Sequence, residues 1–70
     1  MTQTEKSLLR TCLRSYGESF REARIKANLT QLELAHKAGI SQAIISHIEC
    51  GFFMPSSEIE SLLFDIMAAE

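Results

Sequence analysis

The chain has no tryptophan, one proline, three glycines and two cysteines in 70 residues. Four breakers leave long uninterrupted stretches, and they fall where helices are expected to end. No segment alternates apolar and polar residues with β-branched enrichment, so no strand is predicted. Cys12 and Cys50 are isolated, which gives neither a disulfide framework nor zinc-ligand spacing. No apolar run is long enough to span a membrane. The first residues, Met-Thr-Gln-Thr-Glu-Lys, lack the apolar core of a secretion signal. A cytoplasmic protein with reduced thiols is the expectation. There is no glycine-rich phosphate loop, no metal triad and no nucleophile–base spacing for the two histidines, so an enzyme is not expected. No cofactor, metal or small-molecule substrate is implied.

A positive charge excess is also missing. Seven Lys and Arg stand against nine Asp and Glu, a net charge of -2. That counts against a nucleic-acid partner, which usually leaves a basic footprint. The distribution answers part of the objection. All seven basic residues lie between positions 5 and 37 (Lys6, Arg10, Arg14, Arg21, Arg24, Lys26, Lys37) with only four acids among them. From Glu49 onward there are five acids and no Lys or Arg. A polarised molecule needs only its basic part near DNA.

What is present is helical periodicity in a chain the size of one domain, residues 1–70. Such a small core is marginal, and with disulfides and metals set aside, oligomerisation is the expected support. Leu9, Cys12, Leu13, Tyr16 and Phe20 form a helical stripe that Ala23 and Ala27 continue. Gly17 interrupts it, so the segment reads as two helices, about 5–15 and 18–27, or one helix bent near Gly17. Thr4 is a weak start signal. Cys12 on the stripe reads as a small buried hydrophobe. Asn28 and Leu29 make a tight connection. Thr30 followed by Glu33 is a capping box. Gly39 closes that helix, Ser41 caps another over about 42–50, and Gly51 closes it in turn. Ser56 or Ser57 caps a last helix over about 58–69, with Ile59, Leu62, Leu63, Ile66 and Met67 as its apolar stripe. The whole is an all-α bundle of about five short helices, with residues 4–15 as an extra N-terminal helix.

The informative stretch is 30–51, TQLELAHKAGISQAIISHIECG. It holds two short capped helices joined at Gly39. Small Ala35 allows close crossing, and Ile40, Ile45 and Ile48 seat the second helix on the core. This is the geometry of a helix projected into a major groove.

With Gly17, Phe20-Arg21, Arg24, Thr30-Gln31, Leu34-Ala35, Gly39, Ser41, Ile45-Ser46, Ile48-Glu49, Gly51 and Pro55, the chain resembles the phage repressor and Cro-type helix-turn-helix family. The resemblance covers about Tyr16 to Pro55. It implies a lambda-repressor-like fold and a dimer on the palindromic operator of a double-stranded DNA. It also implies a bacterial, phage- or plasmid-encoded protein that controls transcription at the nucleoid. Gln31 matches a phosphate-contacting glutamine at a helix N-terminus, where backbone N–H groups also attract phosphate. Gln42, Ala43, Ser46 and His47 match the exposed face of the recognition helix. Glutamine suits adenine, and alanine can meet a thymine methyl. Thr30 and Lys37 are further candidate DNA contacts. Arg24 and Glu49 match a structural ion pair.

Three features depart from the family pattern. Cys50, Gly51, Phe52 and Phe53 occupy a loop where relatives often carry basic residues, so fewer phosphate contacts are expected there. The 4–15 segment is additional. Ser57 and Glu60 fall where apolar residues are usual. Leu8, Ile25, Phe52, Phe53 and Phe64 lie off the main stripes, and a core this small cannot enclose them all. Large exposed patches usually mark an interface. Leu8, Phe52, Phe53, Phe64 and Met67 are the candidate dimer or partner surface. A two-fold dimer sets its recognition helices one DNA turn apart, about 34 Å. His47 and Cys50 are one turn apart, but no third or fourth metal ligand lies near. Two functions compete: a dimeric DNA-binding repressor, and a protein-interaction module or antitoxin that keeps the fold and grips a protein such as a toxin. Steep salt dependence of DNA binding separates them.

Overall fold

The computed structural model describes the backbone of residues 3–70 and the side chains of residues 8–70. Four helices follow one another: α1 (Gln3–Lys26), α2 (Gln31–Ala38), α3 (Gln42–Glu49) and α4 (Ser57–Ala68). The described residues contain no strand. Four helices rather than about five form because α1 runs unbroken through Gly17, with Thr4 inside it. Gly17 is therefore not a break. It is a contact point, where a Cβ would fall 2.5 Å from the Ile48 carbonyl oxygen and 2.6 Å from that of Glu49. The end of α3 lies directly on α1 there, and only a residue without a side chain permits it.

The ends of the helices have identifiable causes. α1 stops at Asn28, whose φ of 61° is left-handed, a conformation asparagine tolerates better than most residues. The Leu29 N–H then reaches back to the Arg24 carbonyl at 3.2 Å. Thr30 starts α2 with both halves of the capping box: the Thr30 hydroxyl accepts from the Glu33 N–H, and the Glu33 carboxylate accepts from the Thr30 N–H. Gly39, at φ 70°, turns the chain toward α3. Ser41 occupies the N-cap of α3 but makes no side-chain capping bond, so it caps by backbone conformation alone. At α4 the cap is Ser56, which accepts from the Ile59 N–H.

Phe20, Leu29, Leu34, Ala35, Ile45, Ile48, Leu63 and Met67 form the core. Full burial of each large apolar side chain contributes about 1.5–3 kcal/mol. Phe20 takes the Phe64 ring edge-on at a centroid distance of 5.7 Å. Met67 is thus a core residue and not part of an outer interface, because α4 turns its Leu63–Met67 edge inward. Leu62, expected to face in, is exposed for the same reason. The first half of α1 is the second correction. From Leu8 to Ser15 every residue except Leu13 is exposed, including Leu9 and Cys12. The helix there has outrun the bundle, and of its apolar stripe only Leu13, beside the loop after α3, is partly covered. Leu8, Ile25, Phe52, Phe53 and Phe64 are all exposed. Glu60, an acid at an apolar position, accepts a hydrogen bond from the Tyr16 hydroxyl and so ties α4 to α1. Burial and the adjacent carboxylate raise the phenol above its ordinary range.

Candidate nucleic-acid interface

The α2–turn–α3 unit is held by its caps and by one polar chain. Hydrogen bonds from Thr30 hold the Glu33 carboxyl below its ordinary range. Ala35, almost fully buried, lets α3 cross α2 closely, and Ile45 and Ile48 anchor α3 from beneath. The opposite side of α3 stays in solvent: Gln42, Ala43 and His47 are exposed and Ser46 is half-exposed.

Arg24 organises the polar chain. Its Nε donates to Glu49 Oε2 at 2.6 Å, and its second terminal nitrogen donates to Glu49 Oε1 at 3.1 Å. Nη1 donates to the Leu29 carbonyl at 2.7 Å. One guanidinium thus joins α1, the α1–α2 connection and the end of α3. Glu49 Oε1 also accepts from Gln31 Nε2 at 3.1 Å. Gln31 in turn lies 3.5 Å from Gln42 Nε2, at the limit of a hydrogen bond. The two glutamines at the starts of α2 and α3 therefore stand side by side, and one is braced by a buried charge. A pre-positioned side chain loses less conformational freedom on binding.

The remaining candidates are dispersed. Thr30 is adjacent to Gln31, but its hydroxyl serves the capping box. Lys37, at the far end of α2, has its ammonium 3.6 Å from Glu70 and is set apart from the glutamines. His47 sits at the other end of the exposed face of α3, among rings. Its centroid is 5.3 Å from Phe52 and 6.2 Å from Phe53. The Tyr16–Glu60 tie was not legible in sequence, since residues 44 positions apart give no local signal. Among the described residues no cluster of three or more His, Cys, Asp or Glu could hold a metal. No described helix is long and apolar enough to cross a membrane.

The helix-turn-helix family matches residues 20–59 of the chain, from the core Phe20 to the first turn of α4. The match covers more than half of the 70 residues, and the chain belongs to this family, of phage repressor and Cro type. It is a DNA-binding helix-turn-helix regulator. No curated protein and no solved structure matches it.

Proposed function

We propose that the protein is a dimeric transcriptional repressor that places α3 in the major groove of a palindromic operator. The observation that carries this reading is the braced pair Gln31–Gln42, with Gln31 held on Glu49 and Glu49 held on Arg24. Gln31, with the N-terminal amides of α2, contacts a backbone phosphate. Gln42 reads a base edge, with adenine as its natural partner, and Ala43 and Ser46 line the same face. Dimerisation is supported by the exposed apolar residues outside the core: Leu8, Phe52, Phe53 and Phe64. Binding as a two-fold dimer gives each half-site the same contacts.

A protein partner such as a toxin is the second reading, and the exposed ring cluster of His47, Phe52 and Phe53 favours it. The net charge of -2 favours it too. Gln42→Ala tests the first reading. Specific binding should weaken by about 1–2 kcal/mol, with fold and nonspecific binding unchanged. An equal loss on every DNA sequence contradicts the base-contact role. Sedimentation of the free protein at the same concentrations shows whether it is a dimer or a monomer.

A further inference from the structure

The loop after α3 is the place where a helix-turn-helix protein meets the second backbone of the groove, and here it has no cation of its own. Cys50, Gly51, Phe52, Phe53 and Met54 are uncharged. The N–H groups of Cys50, Gly51 and Phe52 are all spent on carbonyls at the end of α3. The loop is instead laid against the overhanging half of α1. Gly51, at φ 77°, comes so close that a Cβ would sit 3.0 Å from the Arg14 backbone. A cleft of about 400 Å³ opens at this joint, lined by Arg10, Leu13, Arg14, Cys50, Gly51 and Phe52. No acid lines it. Among the described residues neither Arg10 nor Arg14 is in an ion pair.

Helical spacing explains why both guanidinium groups arrive there. Arg10 and Arg14 are four residues apart and share a face of α1 with Gly17, Arg21 and Arg24. Gly17 and Arg24 press that face onto the end of α3. Continuing the same face up the helix carries Arg14 and then Arg10 past the bundle and beside the loop. We propose that this cleft binds the DNA backbone, with Arg10 and Arg14 each neutralising one phosphate. The extension of α1 thereby supplies the phosphate contacts that the aromatic loop lacks.

The position suits that role. Gln42 is the first residue of α3, with Gln31 of α2 beside it, and the cleft lies beyond the other end of α3. The eight residues of α3 span about 12 Å at the usual helical rise. The major groove is about 12 Å wide. A helix seated in it thus brings Gln31 to one backbone and the arginines to the other. The arginine fork is also suited to bidentate phosphate contact.

This inference rests on the reading of the chain as a DNA-binding protein, and the test separates the two. Binding of a mixed-sequence DNA duplex is measured as a function of salt for the wild type, for Arg10→Gln with Arg14→Gln, and for Arg10→Lys with Arg14→Lys. Each phosphate neutralised contributes about 0.9 to the slope of log K against log salt, so the glutamine pair should flatten it by about 1.8. The lysine pair should keep the wild-type slope. If the glutamine pair melts early because the cations stabilise the carbonyl end of α3, Arg10→Gln alone, one turn farther out, should still lose about half of that 1.8. An unchanged slope in the glutamine variants overturns the cleft while leaving the DNA reading intact. A wild type that binds no duplex at low salt overturns both.

Discussion

Glu49→Ala is expected to destabilise the fold by about 3–5 kcal/mol, the usual cost of removing one partner from a buried ion pair. The side chains of Arg24 and Glu49 are 10% and 4% exposed, so solvent cannot take over the lost contact. After the substitution Arg24 keeps its bond to the Leu29 carbonyl, which holds the guanidinium in place with its charge unbalanced. Seventy residues at the usual stability per residue give a total of roughly 3.5–10 kcal/mol. The variant should therefore lose about a third or more of its total stability, as a urea titration will show by a large drop in midpoint. Replacing both members, Arg24→Met with Glu49→Leu, should recover much of the loss, because a buried pair exchanged for apolar residues is often nearly neutral. The recovered fold should still bind DNA poorly, since Gln31 loses its brace. A Glu49→Ala variant as stable as the wild type would contradict the burial of the pair.

Gly17→Ala should also destabilise, against the helical trend. In an open helix, Gly→Ala gains about 1 kcal/mol. Here the new methyl meets two backbone oxygens at 2.5 and 2.6 Å, and neither can rotate away. The end of α3 must lift from α1, with a net cost of about 3 kcal/mol, at the upper end of the range for overpacking. The displacement also moves α3, the helix proposed to enter the groove, so DNA affinity should fall with stability. Thermal melting checks the sign: a higher melting temperature would mean that α1 and α3 are not in contact at Gly17.

These two residues show what the sequence made legible. Local signals were strong around the turn: the Thr30–Glu33 box, Gly39 and Gly51 each marked a boundary that the backbone follows. The apolar spacing of Leu34, Ala35, Ile45 and Ile48 located the core side of both helices. Gly17 was ambiguous because a glycine that breaks a helix and a glycine that admits a neighbour look alike in one dimension. Only the crossing of α3 distinguishes them. Leu9 and Cys12 carried a helical period but no indication that the bundle ends before they are reached. Leu62 and Met67 shared one apolar stripe in the sequence, but only Met67 is buried, because five apolar residues on α4 spread wider than the face that is covered. Glu60 looked misplaced until the Tyr16 hydroxyl, distant in sequence, supplied its partner. At the candidate site the helices and their exposed face were readable, whereas the bonding of Gln31 to Glu49 and the approach of Arg14 to Gly51 depend on tertiary packing.

On the proposed function, α3 reads a duplex sequence as part of a two-fold dimer. The most direct test is selection of bound duplexes from a random-sequence pool at physiological salt. An inverted repeat with half-sites about one helical turn apart should be enriched. The enriched site should be bound with a steep loss of affinity as salt rises. Recovery of unenriched sequence, with binding indifferent to salt, would contradict it and turn attention to a protein partner for Phe52 and Phe53.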